Sequence, residues 1–322
     1  MNTSLAYYFA FPAIYQWIWK SQTLSSFTSI ESLLESCLRN ISQEERQKIR
    51  KAVPTLQQVT EESGVKVVTY FEEAYPPLLR KIFDPPITLF VKGNKDLLNR
   101  NYMAVVGTRR PASISLQACS PILDFMQNST DIGITSGLAI GIDKRIMNLA
   151  VESGLPVIGV MATGMDKEYP LQNRELYQKL KSYQNGLIVT EMRWGEPSNK
   201  WSFPKRNRII TGIANGVFIL EAPLKSGAIS SAHHALAQNR DIFVFTHPSQ
   251  KNNRGGRKLI SEGAKAIEWS MIANKEEIFH ISKMPNFSYQ NLPYILAELG
   301  KLEVQGLLTE LGSGYYKKKI TS

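Results

Sequence analysis

Within residues 200–212, KWSFPKRNRIITG, two aromatic rings, Trp201 and Phe203, are interleaved with four cations, Lys200, Lys205, Arg206 and Arg208. A guanidinium or ammonium group can hold a phosphate, and an aromatic ring stacks on any base whose face is open, a pairing typical of proteins that bind single strands. Duplex DNA hides its base faces, so this chemistry points to an unpaired strand. Each group also has a plainer use. The rings can pack beneath a loop, Trp201 more readily than Phe203, and the cations can form the solvated face of a helix that starts well with Pro204 in its first turn.

A second set of residues lies in glycine-containing turns that follow short apolar runs. These are Gly107 in VVGTRR, with Thr108, Arg109 and Arg110 beside it; Ser136, Gly137 and Gly141 in TSGLAIGID; and Gly164 in ATGMD. Glycine lets backbone N–H groups approach an anion closely, and a helix that follows adds the positive end of its dipole. A tight turn accounts for any one of these glycines. Three such turns, one of them carrying two arginines, point to a phosphate.

Other chemistries lack their signatures. A dinucleotide fold needs G-x-G-x-x-G after the first strand and an acid ending the second. Here the first turn has only Gly107, and the second strand ends in Thr135 and Ser136, so no nicotinamide or flavin is expected. The histidines, His233, His234, His247 and His280, come without G-x-S-x-G or H-E-x-x-H, so no catalytic residue is assigned. Asp143, Glu191 and Glu221 near strand ends could do acid–base work, but holding Arg206 or Arg208 is the favoured reading. Cys37 and Cys119 form no C-x-x-C clip and read as small core hydrophobes in a reducing compartment. No metal or cofactor is expected.

The elements that must position these residues follow from hydrophobic pattern. The runs MAVVG, DIGITSG, PVIGVMATG, GLIVTE, GVFILEA and DIFVFTHP recur about one βαβ unit apart with helical patterns between them, and near-continuous Val/Ile runs suit strands buried on both faces of a parallel sheet. This predicts an α/β fold, an extended Rossmann-like, doubly wound and mostly parallel sheet over residues 66–285, regular from about residue 100. In such a sheet the carboxyl ends of the strands share one edge, where the glycine turns and the 200–212 stretch meet. Residues 1–65 read as a small helical domain of the SAM or helix-hairpin kind, with Ser29 as one cap and Ser42 with Glu45 as a capping box. The pairs Pro76-Pro77 and Pro85-Pro86 forbid a continuous helix and mark an ordered crossover. Residues 286–322 read as one amphipathic helix, a turn at GSG and a basic aromatic strand, too short to hold a core.

The 322 residues carry 38 Lys plus Arg against 28 Asp plus Glu, a formal charge of +10 that favours polyanionic partners. The apolar start has no cation before Lys20 and is broken by Pro12, unlike a signal peptide, and no uncharged apolar run approaches a membrane span. A cytoplasmic protein without a membrane partner is expected.

The segments VVGTRR, TSGLAIGID, GVMATGMDKEYPLQN, FPKRNRIITGIA and EAPLKSGAISSAHHALAQNRDIF occur in an order and spacing that resemble the DNA-processing protein A family, and YPPLLRKIFDPPITLFVKG is similar to its lead-in segment. The resemblance implies a non-enzymatic protein that binds single-stranded DNA, protects incoming strands in natural transformation, forms a homodimer and helps load the RecA recombinase. It also implies that Arg109 and Lys200 grip phosphate, that Phe203 stacks on a base, and that Arg206, Asn207 and Arg208 belong to the family's FPxRNR signature. With the glycine turns, the DNA-binding set becomes Gly107, Thr108, Arg109, Ser136, Gly137, Gly164, Lys200, Phe203, Arg206, Asn207 and Arg208. Three positions depart from the family: Ala112 where serine or threonine is usual, Asn148 where histidine is, and Arg257 in GGRKLI where asparagine is. Arg257 adds a phosphate contact or marks a rearranged loop. The tail resembles only the last helix and wing of a winged helix. Two readings compete: an enzyme acting on a small phosphorylated nucleotide in the same crevice, against which the P-G-G-x-G-T signature is missing, and an adaptor for acidic proteins.

Overall fold

Nine strands form the central sheet of the computed structural model, which describes residues 3–21, 24–127, 132–273, 278–281, 284, 288, 291–305, 308–312 and 314–318. They are β1 (Lys66–Thr69), β2 (Thr88–Gly93), β3 (Asn101–Val106), β4 (Ile132–Ser136), β5 (Val157–Val160), β6 (Gly186–Thr190), β7 (Gly216–Ile219), β8 (Asp241–Thr246) and β9 (Lys265–Glu268), in the spatial order β1-β2-β6-β5-β4-β3-β7-β8-β9. From β6 across to β9 all neighbours are parallel, while β1 and β2 attach antiparallel at one side. The expected mostly parallel, doubly wound sheet is what forms.

All residues of β5, β6 and β7 are buried, which is why these segments read as unbroken apolar runs. The two-residue period of a strand still decides which face each side chain joins. Met103 and Val105 of β3 pack on one face with the helices Cys119–Gln127, Ile142–Glu152 and Arg174–Ser182. Tyr102, Ala104 and Val106 pack on the other with Ser202–Ile213 and Gly227–Ala237. Cys37 and Cys119 are buried and free, and burial pushes both thiols up to about 12.

The N-terminal helices form where their caps predict. The Ser29 hydroxyl accepts from the Ser32 N–H ahead of helix Ile30–Asn40, and that of Ser42 from Glu45 N–H ahead of helix Gln43–Glu62. Their core residues Leu33, Ile49 and Val53 belong to the same cluster as Met103 and Val105, so this segment shares a core with one face of the sheet. The proline-rich crossover resolves into β1, the short helix Pro77–Arg80, and β2. The tail differs from expectation. The β10 strand (Ile278–His280) pairs with β12 (Tyr315–Lys318), which also pairs with β11 (Leu308–Gly312). Helix Leu292–Val304 covers this small sheet, and Ile281, Ile295, Leu299, Leu308 and Tyr316 make a core of their own. The strand before residue 285 supplies what the tail alone lacks. The boundary at 285–286 and Ser313 of the GSG turn lie outside the described residues.

One topological feature places the site. The chain runs β3, β4, β5, β6 towards one side of the sheet and returns with β7 on the other side of β3. The turns after β3 and β7 therefore leave in opposite directions, and a crevice opens between them at the carboxyl edge.

Candidate functional site

The crevice at this switch point is a cleft of about 360 Å³, lined by the β3 turn (Gly107 to Arg110), the start of helix Ser202–Ile213 (Phe203, Arg206, Asn207) and the β7 turn (Pro223, Lys225, Ser226). Two glycines let the turns close. A Cβ on Gly107 would stand 2.6 Å from Ile142 Cγ1. Gly141, with φ +84°, would bring one within 2.5 Å of the Thr108 carbonyl oxygen. The β3 turn is then fastened from beneath: Thr108 N–H donates to the Glu221 carbonyl (2.9 Å), and the Glu221 carboxylate accepts from Ala112 N–H (2.8 Å) and Ser115 Oγ (2.7 Å). With its backbone held this way, the turn presents Arg109 and Arg110 to solvent, neither with an ion-pair partner among the described residues. Lys225 is exposed across the cleft in the same condition.

Arg206 forms the floor. Its buried guanidinium donates to the carbonyls of Gly137 (2.6 Å) and Val160, and its Nε to Asn207 Oδ1 (3.3 Å). Asp143, also buried, accepts from Gly137 N–H at 3.0 Å and supplies the opposing charge. Burial pushes Asp143 up and Arg206 down, and each charge offsets part of the cost of the other. Gly137 is glycine because a Cβ there would meet the Arg206 guanidinium at 2.8 Å. Ser136 is buried and donates to Val105 O at 2.6 Å. Asn207 reaches Gly227 O at 3.2 Å and ties the two helices together.

Arg208 is a correction. Both the phosphate contact and the solvated helix face expected for it are excluded, because its side chain is 1% exposed and lies away from the cleft. Two residues along a helix turn the side chain by roughly 200°, so Arg206 and Arg208 leave opposite sides. Arg208 Nε donates to Asp84 Oδ2 (2.7 Å), its two Nη atoms form a fork on Glu191 (3.1 and 2.8 Å), and Nη2 also reaches Tyr15 Oη at 3.3 Å. These partners hold its pKa above the ordinary arginine value despite burial. Lys205 turns the same way, 3.3 Å from Glu191 Oε2 with its ammonium 4.0 Å over the Tyr15 ring. Of the three carboxylates expected to hold the arginines, Glu191 holds Arg208 directly and Asp143 supplies the charge opposite Arg206, whereas Glu221 departs from the expectation, its carboxylate being taken by Ala112 N–H and Ser115 Oγ.

The two aromatics also separate. Phe203 is half-buried at the cleft, its ring 5.5 Å from that of Tyr169 and 5.6 Å from the Arg109 guanidinium. Trp201 packs in no core: it is 70% exposed, with Lys200 Nζ 5.1 Å over its ring. Lys200 and Trp201 stand outside the cleft wall. Gly164 is also outside it, packed so closely that a Cβ would meet Arg193 O at 2.3 Å, and its N–H donates to Glu196 O. Arg257 donates to Gln250 O at 3.1 Å, away from the cleft lining. Sequence reasoning missed Tyr169 and Lys225. Lys225 follows a strand in EAPLKSG much as Arg109 does in VVGTRR, so one rule could have found both.

The profile of the family described as DNA recombination-mediator protein A matches residues 66–279. The DNA processing protein DprA of Bacillus subtilis is 31% identical over 280 residues, covering 84% of this chain and 90% of that protein. Its Streptococcus pneumoniae counterpart is 35% identical over 197 residues, 61% of this chain and 68% of that one. Among solved structures, the S. pneumoniae protein aligns with a TM-score of 0.60 at 27% identity, covering 83% of this chain and 92% of that chain. The Helicobacter pylori DNA processing protein A, solved for its single-stranded DNA binding mode, aligns at 0.55 and 28% identity, covering 74% and 96%.

Proposed function

This chain belongs to the DNA recombination-mediator protein A family, and on that premise we propose that its switch-point cleft grips the backbone of single-stranded DNA. The observation that carries the proposal is an aromatic ring, Phe203, set among three exposed cations, Arg109, Arg110 and Lys225, none with an ion-pair partner among the described residues. Arg109, Arg110 and Lys225 take successive phosphates, with the turn at Gly107 and Thr108 closing beneath them. Phe203 stacks on the base between, supported by Tyr169, and Lys200 meets the strand as it leaves. Arg206, Asn207, Ser136 and Gly137 keep the floor rigid without touching the strand. Phosphate contacts that carry no sequence information, joined to stacking that tolerates every base, make a sequence-independent binder.

The carboxylates nearest the cleft do not favour the enzymatic reading. Asp143 is taken by Gly137 N–H beside Arg206, and Glu221 by Ala112 and Ser115, so neither is poised as a base. The protein is a DNA-processing protein of the recombination-mediator type, and in this reading it acts as a cytoplasmic homodimer that covers incoming strands and passes them to RecA. No helix of the described residues is long and apolar enough to cross a membrane. Fluorescence anisotropy with labelled single-stranded and blunt duplex oligonucleotides at two salt concentrations tests the proposal. Preference for the single strand is expected, and equal affinity overturns it.

A further inference from the structure

A second cleft, of about 290 Å³, separates the N-terminal helices from the sheet. One wall carries Phe9, Pro12 and Gln16, and the other Ile87, Met192 and Trp201. We propose that this cleft is a nucleobase pocket, which takes one unpaired base from the strand whose phosphates are held at the switch point. The inference rests on the reading of that first cleft as the backbone grip.

Charge distinguishes the two clefts. The cations around the second one are already engaged. Lys205 is held by Glu191 at 3.3 Å and by the Tyr15 ring, and Arg193 is held by Glu196 at 3.3 Å and lies 4.9 Å over the Phe11 ring. Arg208 is spent on Glu191 and Asp84 behind the wall. Among the described residues, no cation that lines this cleft is left over for a phosphate; Lys200, which has no ion-pair partner among them, lies over the Trp201 ring and outside the lining, whereas the switch-point cleft has three. What the second cleft offers is flat apolar surface with a few hydrogen-bonding groups, Gln16, Asn199 and the Glu196 carboxylate, the last pushed up by burial. That suits a neutral planar ligand with a donor at its rim, as a base with its ring N–H or exocyclic amine is. Its size is near the small end of ligand pockets, roughly 300–1,000 Å³.

Trp201 joins the sites. It lines the second cleft, Phe203 lines the first, and the two residues lie in one turn at the start of the same helix. An indole left 70% exposed, with an ammonium 5.1 Å over its ring, is a stacking platform for a base on a strand passing over that turn. The strand's charge then falls on one side of the turn and a base on the other.

The test fills the pocket from the wall farther from the first cleft. Ala10→Phe adds a ring where Ala10 lines the pocket, and it touches neither Arg109 nor Phe203. Binding is compared for an oligothymidylate and for an abasic strand of equal length, with thermal melting checking the fold. Ala10→Phe is expected to weaken the oligothymidylate about tenfold, the loss of one stacked base, and to leave the abasic strand unchanged. Arg109→Ala is expected to weaken both. If Ala10→Phe weakens both strands equally, or neither, the base pocket is overturned. If Arg109→Ala weakens neither, the backbone grip is what fails, and the pocket as placed here fails with it. Should Ala10→Phe melt early, Gln16→Trp at the exposed rim of the same cleft gives the same comparison.

Discussion

Replacing Arg208 with methionine separates the part of the KWSFPKRNRIITG stretch that builds the fold from the part proposed to meet DNA. The guanidinium is 1% exposed and faces the Glu191 carboxylate, itself 8% exposed, and Asp84, which is 34% exposed. Methionine keeps much of the aliphatic stem and removes the charge, which leaves Glu191 buried against an apolar side chain. Breaking one partner out of a buried pair costs about 3–5 kcal/mol. Lys205, 3.3 Å from Glu191, still offers a partly exposed counter-charge, and Asp84 can return to water, so the loss belongs at the lower end, about 3 kcal/mol. In domains of 150–250 residues each kcal/mol lowers Tm by about 2–4 °C, so a drop of roughly 6–12 °C is expected. Removing the orphaned charge as well, with Arg208→Met and Glu191→Gln together, should recover part of the loss, since replacing both partners is far less costly than removing one. Below the melting range, the folded Arg208→Met protein should bind single-stranded DNA with an unchanged salt slope. Thermal melting and salt-titrated anisotropy measure both quantities. An unchanged Tm together with a slope reduced by about one charge would refute the reasoning, since it would mean that Arg208 reaches a phosphate.

Three further outcomes follow from the same geometry. Phe203→Ala should lose on the order of 1–3 kcal/mol of single-strand affinity whatever the sequence, while the half-buried ring, in contact with Tyr169 and Arg109, contributes only about 0.5–1.5 kcal/mol to the fold; a large fall in Tm with normal binding would make it a core residue instead. Arg109→Ala should flatten the salt dependence by roughly one released counterion, making the slope for a single strand about 0.7 less negative, and parallel titrations of wild type and variant check this. His234, whose ring nitrogen is 3.1 Å from Pro204 O at the start of helix Ser202–Ile213, is held below its ordinary 6.5 by burial. Its contribution to stability is thus complete above 6.5 and is lost as pH falls through the lowered value, and His234→Gln should remove this slope from Tm measured above and well below 6.5.

The parts of the fold legible in the sequence are those where burial leaves a local trace. The strands β3 to β8 read as Val/Ile runs because most of their residues are buried, and the glycine turns were visible because Gly107 and Gly141 have no steric alternative. The β9 strand, only four residues at the sheet's edge with an exposed–intermediate–buried–exposed pattern, leaves no such trace. Arg208 was illegible for a different reason. A buried charge is acceptable only when its partner arrives, and Asp84 arrives from 124 residues away, so no local window can distinguish Arg208 from a solvated cation. Charge density in KWSFPKRNRIITG therefore overstates its share of the binding surface. Of its four cations, Arg206 and Arg208 are buried and Lys205 is spent on Glu191, which leaves Lys200 as the one that is exposed without an ion-pair partner among the described residues. The cations able to meet a phosphate at the cleft are on the loops instead, Arg109 and Arg110 after β3 and Lys225 after β7, where the reversal of strand order brings two short turns face to face. The helix supplies the ring and the floor, and the sheet topology supplies the charge.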